Sequence, residues 1–317
     1  MVSCGWHTLN RRPVSICALA NTSGRPEIIP GNVLKYACDH ITTTAGHMGN
    51  TKSQGAATPQ LEARHQASGL NSRFNEWQPS FAEYVELQRK MIAQARSGTD
   101  AANLQEIIDG NAPFELKPTG NYPAGKTKPY KRGVLLIHGL TDSPYFMRHL
   151  AAFFQENGFR VMAVLLPGHG TQPGDLLDVP WQEWAKAVAY GADRLDAEAE
   201  DIYLGGYSAG GTLSIYQSLR DPRVRGLFLF APALKISPRA AQANLHRFYS
   251  WLVPSAKWVG IMPDLDCYKY ESFPKNAAAQ MYALTQELNE QDYCTGSSCR
   301  CLRRRAQTTP PPIRRRP

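Results

Sequence analysis

"DIYLGGYSAGGTLSIYQSLRD", residues 201–221, is the stretch whose reading decides the fold. The run through Ile202, Tyr203 and Leu204 reads as a strand, and the run from Ala209 onward reads as a helix. Between them stands Ser208, flanked at two residues' distance by Gly206 and Gly210. A strand-to-helix turn this sharp crowds the positions on either side of the serine, so glycine is expected at both. The helix start at Ala209 would direct free N–H groups, and a partial positive charge, at any anion forming beside the hydroxyl. The plainer alternative is a tight turn around a satisfied serine. The clear strand before Ser208 and the clear helix after it favour the nucleophile.

Working outward, the same alternation repeats. "GVLLIHG" (133–139), "RVMAVLLPG" (160–168) and "VRGLFLFAPAL" (224–234) are short continuous apolar runs, as expected of strands buried on both faces of a parallel sheet. "DSPYFMRHLAAFFQENG" (142–158) and "WQEWAKAVAYGADRLDAEAE" (181–200) are helical, the first capped by Asp142 or Ser143, with Pro144 in its first turn and Gly158 as its stop. The expectation is a doubly wound, mostly parallel α/β sheet over residues 71–234. "FAEYVELQRKMIAQARSG" (81–98) precedes it as an amphipathic helix, and "APFELKP" (112–118) as an edge strand. Residues 1–70 are polar and lack periodicity, so they read as a poorly ordered leader. Residues 235–290 are aromatic-rich and helix-like, and read as a cap over the carboxyl edge of the sheet.

Composition narrows the function. With 43% apolar and 20% charged residues, the chain reads as a globular protein. Its formal charge is +8, but residues 291–317 hold seven arginines against one acid, Asp292. That segment carries +6, which leaves +2 for the other 290 residues, too little for a nucleic-acid footprint. No apolar run reaches the length of a membrane span. "VSICALA" (14–20) is too short to convince as a signal-peptide core, so a cytoplasmic location is expected. The seven cysteines are peripheral, and "CTGSSCRC" (294–301) lacks a second pair at zinc-ligand spacing, so neither metal nor cofactor is expected. Oligomeric state is not legible.

The second chemical feature is "LLIHGLTDSP" (135–144), at the end of the first buried strand. Acyl transfer needs two N–H donors on the developing oxyanion. The amides of Leu140 and Ala209 suit those roles, with Gly139 letting the backbone approach a substrate. For His138 and His169 the favoured reading is a structural loop histidine, held by its neighbours.

Taken in order, "LLIHGLTDSP", "LLPGHG" (165–170) and "GGYSAGG" (205–211) resemble the α/β-hydrolase superfamily, in its branch of monoacylglycerol-lipase-like and serine-aminopeptidase-like esterases. The likeness covers about residues 130–290. It implies a carboxylic-ester hydrolase acting on a small acyl ester or monoglyceride, with Ser208 as nucleophile. It also implies that the cap shapes an apolar acyl pocket, with Phe248, Tyr249, Trp251, Trp258 and Met262 as candidate lining residues.

One part of the family pattern is not found. The chain order Ser, acid, His needs an acid and then a histidine after further strands. The last histidine is His246, ahead of the acids Asp264, Asp266 and Asp292, and a surface or packing role is favoured for it. Near Gln291 the text turns to Arg, Pro and Cys, as a GC-rich gene gives in a shifted frame. The expectation is therefore a chain that stops short of the triad acid and histidine, with residues 291–317 forming a disordered tail. A catalytically inactive, hydrolase-like remnant or binding module is the competing reading.

Overall fold

The computed structural model describes residues 4–9, 12–20, 60–77, 80–98, 103–238, 240 and 252–290. Seven strands form one sheet. In chain order they are β1 (Cys4–Leu9), β2 (Arg12–Ala20), β3 (Phe114–Leu116), β4 (Tyr130–Ile137), β5 (Phe159–Val164), β6 (Ala199–Tyr207) and β7 (Val224–Phe230). Across the sheet they lie β1-β2-β7-β6-β4-β5-β3. The central four, β5, β4, β6 and β7, are parallel, and β3 and β2 close the two sides antiparallel. The helices are α1 (Phe81–Arg96), α2 (Leu104–Asn111), α3 (Arg148–Glu156), α4 (Trp181–Glu198), α5 (Ala209–Arg220) and α6 (Lys275–Glu290).

Alternate residues of the apolar runs go to opposite faces, and each face meets its own helices. Leu135 and Ile137 of β4 join Met162, Val164 and Leu204 in a cluster with Trp184 and Val188 of α4 and Leu213 of α5. Val134 and Leu136 join Val161, Ala163 and Phe228 in a second cluster with Ala151 and Phe154 of α3. Burial on both faces is why these strands read as unbroken hydrophobic runs. Each fully buried leucine or isoleucine contributes roughly 1.5–3 kcal/mol. The turn after α3 is closed by Gly158 at φ +81°, a conformation that disfavours any side chain.

Two expectations change. The ordered chain starts before residue 71: His65, Asn71 and Phe74 are buried, and the amide of Phe74 donates to Glu183 Oε2 at 2.8 Å. The polar side chains that made this segment look like a leader are those that tie it down. Ser68 donates through both N and Oγ to Asp175. Further upstream, the backbone of β2 pairs with β7 from Ile16 opposite Phe230 to Ala20 opposite Gly226, so that sheet edge is covered.

The segment read as a cap is of mixed character. A hairpin of β8 (Trp258–Gly260) and β9 (Phe273–Pro274) interrupts it. Helix α6 then packs on the body, placing Ala277, Met281, Leu284 and Leu288 in the same cluster as Trp184. An apolar stripe at helical spacing says that a face is buried but not what buries it. Among the described residues, no helix is long and apolar enough to cross a membrane, and no group of three or more His, Cys, Asp or Glu could hold a metal ion.

Candidate active site

Ser208 occupies the turn between β6 and α5 at φ 51°, ψ −112°, a strained conformation for a residue with a Cβ. Such conformations cost of order 1–3 kcal/mol and persist only where the surroundings over-determine them. The surroundings here do so. The Ser208 amide donates to Phe230 O at 2.9 Å, and the Ser208 carbonyl accepts from Thr212 N and Ala233 N, each at 3.2 Å. Thr212 Oγ1 also donates to Ala233 O at 2.9 Å. The end of β7 therefore holds the turn from one side.

The flanking glycines hold it from the other. A Cβ on Gly206 would lie 2.2 Å from both the carbonyl carbon and oxygen of Gly210. A Cβ on Gly210 would lie 2.1 Å from Ile137 O and 2.6 Å from His138 O. Both clashes are with backbone, which cannot move aside. The first turn of α5 therefore lies directly on the end of β4. Parallel register has already set Ile137 opposite Gly206, so the loop after β4 leaves the sheet at the same end as the Ser208 turn. Ser208 and Leu140 are half-buried, and Ala209 is buried.

His138 and His169 are both fully buried in the two loops next to this turn. His138 Nε2 accepts from Leu166 N at 3.1 Å, and its Nδ1 faces Gly139 O at 2.8 Å. His169 Nε2 accepts from Thr141 N at 3.1 Å, and its Nδ1 faces Pro167 O at 3.0 Å. An Nε2 that accepts an N–H carries no proton, so each ring is neutral with its proton on Nδ1. Burial holds both below the ordinary histidine range, His169 at about 4, and His169 itself adds to the effect on His138.

Asp142, read from sequence as a helix cap, is placed at the site instead. Its carboxyl is buried beside Gly139, where a Cβ would come within 2.4 Å of Asp142 Oδ2. Burial pushes the carboxyl up to about 6, against the pull of Lys269, whose Nζ lies 3.7 Å from Oδ1. The next residue, Tyr270, donates its amide to Thr141 O at 2.8 Å. Thr141 itself sits at φ 67°. No sequence signal marked Lys269 or Tyr270, since they come from a turn more than a hundred residues downstream.

The candidate acids and lining residues fall elsewhere. Asp264 accepts from the amides of Glu271 and Ser272 and pairs with Arg64, and Asp266 accepts from Tyr268 N at 2.8 Å. Both are turn residues. Trp258 sets its ring edge-on to His65 at 5.0 Å, tying the hairpin to the 60–77 segment, while Met262 is exposed. Of the other histidines whose side chains are described, His65 bonds Ser272 and His149 lies exposed on α3. His246, Asp292, Phe248, Tyr249 and Trp251 lie outside the described residues, as do the cysteines and arginines of 291–317.

A serine on a strained strand-to-helix turn, beside a glycine loop at the carboxyl end of a parallel sheet, defines the α/β-hydrolase class of protein. Residues 128–296, just over half the chain, match the family model for serine aminopeptidase, S33, and the chain belongs to that family. It is 31% identical over 156 residues to a thermostable monoacylglycerol lipase of Bacillus sp. (strain H-257), covering 48% of this chain and 61% of that one. It is 34% identical over 85 residues to a carboxylesterase of Bacillus subtilis (strain 168), covering 26% and 35%. The chain thus spans less than two thirds of the length of either relative. A solved structure from work on LipS and LipT, two metagenome-derived lipolytic enzymes, aligns with TM-score 0.44 at 22% identity over 56% of this chain and 68% of its own.

Proposed function

We propose that this chain is a serine hydrolase of carboxylic esters. In this reading Ser208 Oγ attacks the acyl carbon and the N–H groups of Leu140 and Ala209 receive the oxyanion. The hydroxyl proton passes to the departing alkoxide, which leaves as the alcohol, and water then adds to the acyl-serine, releasing the acid and restoring the Ser208 hydroxyl. The observation that carries the reading is the strained φ of Ser208, enforced by two glycines whose replacement would collide with backbone. Such strain at a half-buried serine is a feature of functional sites. A monoacylglycerol lipase and a carboxylesterase among the relatives support a small or medium acyl ester, or a monoglyceride, as substrate.

A second reading, a hydrolase-like binding module, is favoured by one observation. Of the histidines whose side chains are described (His65, His138, His149 and His169), none is placed to take the Ser208 proton. The test is treatment of the purified full chain with a p-nitrophenyl alkylphosphonate, followed by peptide mass spectrometry and by assay on p-nitrophenyl butyrate. The hydrolase reading expects phosphonylation at Ser208 and turnover that Ser208→Ala abolishes. A folded chain that is neither labelled nor active would leave the binding module.

A further inference from the structure

The two buried histidines make a reciprocal exchange that the proposed chemistry has not used. His138, in the loop after β4, accepts the amide of Leu166 in the loop after β5. His169, in the loop after β5, accepts the amide of Thr141 in the loop after β4. Each ring also turns its Nδ1 back to a carbonyl of its own loop, Gly139 O for His138 and Pro167 O for His169. The two rings meet edge to face with centroids 5.0 Å apart. An imidazole suits this position because it presents one donor and one acceptor on opposite sides of a rigid plane.

The consequence for the oxyanion site follows from peptide planarity. Gly139 C=O and Leu140 N–H belong to one peptide unit, and among the described residues no peptide bond is cis. In a trans unit the two groups point in opposite directions. Holding Gly139 O against His138 Nδ1 at 2.8 Å therefore aims the Leu140 N–H away from that ring. The next unit, Leu140 to Thr141, is held by its own N–H on His169. Both peptide planes on either side of the Leu140 α-carbon are thus set by an imidazole, and Tyr270 N holds the carbonyl of Thr141 beyond them.

We propose that His138 and His169 are paired positioning residues that aim the Leu140 N–H at the acyl oxyanion by exchanging backbone hydrogen bonds between the β4 and β5 loops. The proposal rests on the hydrolase reading for its consequence, but the exchange itself is a physical claim with its own readout. In ¹⁵N-labelled wild-type chain, nitrogen–nitrogen couplings across the hydrogen bonds Leu166 N to His138 Nε2 and Thr141 N to His169 Nε2 are expected, with both rings protonated on Nδ1. Absent couplings, or a proton on either Nε2, would overturn the exchange without recourse to any variant. His169→Leu is then expected to speed amide exchange at Thr141 by tenfold or more, with His169→Gln, which restores an acceptor, returning it toward wild type.

Phosphonylation of Ser208 should slow by about ten- to a hundredfold in His138→Leu and His169→Leu, and recover in the glutamine variants. The upper figure is the low end of the cost of a lost oxyanion donor. A labelled wild type with unaltered rates in both leucine variants would sink the positioning role. An unlabelled wild type would instead sink the Ser208 reading, leaving the couplings to decide the exchange.

Discussion

Gly210 rests on the carbonyl of Ile137 so closely that a Cβ would stand 2.1 Å from its oxygen. That contact joins the helix that follows the candidate nucleophile to the strand that precedes the candidate oxyanion loop, and it makes their relative placement a property of backbone packing. Gly210→Ala and Gly206→Ala should each destabilise the chain by about 1–3 kcal/mol, the usual penalty of overpacking, and should slow Ser208 phosphonylation. Gly260→Ala, where nothing lies within 4 Å of the added Cβ, should stay within about 0.5 kcal/mol of wild type. Urea unfolding of the three variants checks the contrast, and equal losses at 210 and 260 would contradict it.

Strain at Ser208 separates stability from chemistry. Both Ser208→Ala and Ser208→Gly should abolish labelling, because both remove the hydroxyl. Alanine retains the Cβ that makes φ 51° costly, and glycine does not. Ser208→Gly is therefore expected to be more stable than Ser208→Ala by about 1 kcal/mol or more. Paired thermal melts decide it, and an alanine variant at least as stable as glycine would remove the case for strain.

The buried histidines set an acid limit. The folded His169 titrates at about 4, against about 6.5 when unfolded, so the unfolded chain takes up its proton first. The stability that His169 contributes is full above about 6.5 and is lost as pH falls toward 4, on the order of 3 kcal/mol in all. His138, also lowered, acts in the same direction. Asp142 opposes them: its folded carboxyl titrates at about 6, so its contribution fades as pH rises from about 4 to 6. Two histidines against one carboxyl predict a net loss of stability between pH 6.5 and 4. His169→Gln should flatten that slope in denaturant titrations, and an unchanged slope would refute the assignment.

Ser272 holds the hairpin and the 60–77 segment together. Its fully buried Oγ donates to Met262 O and accepts from Met262 N, each at 3.0 Å, and His65 Nε2 lies 3.1 Å away. His65 Nδ1 accepts from Glu62 N at 3.0 Å, so its proton sits on Nε2, facing Ser272. Ser272→Ala would leave the buried His65 Nε2–H unpaired, at about 1–3 kcal/mol, and would also strip the part-buried Met262 amide of its partner. Limited proteolysis should then cut between residues 60 and 77 faster than in wild type. Wild-type resistance there would show that the tether is dispensable.

Much of the fold was legible because the signals that carried it are local. The unbroken apolar runs at 133–137 and 161–166, and the Gly-Tyr-Ser-Ala-Gly turn after a third run, need only their own neighbours to be read. Burial on both faces and a sharp turn each leave a mark within a few residues. The cap was less legible because an amphipathic stripe is silent about its partner, and α6 found the body. Residues 60–70 were not legible as part of the fold for the opposite reason: they are held by polar contacts such as Ser68 Oγ to Asp175 Oδ1 at 2.9 Å, made with residues about a hundred positions away.

By itself, then, the order of residues determined the doubly wound sheet, the serine at its strand-to-helix bend, and the loop that follows the first parallel strand. Only the tertiary structure decided that His138 and His169 clasp each other's loops, that Asp142 and Lys269 meet at the site, and that Tyr270 holds Thr141. The reason is range. Backbone conformation is written by residues a few positions apart, whereas a hydrogen bond between loops depends on where two distant strands end in the same sheet.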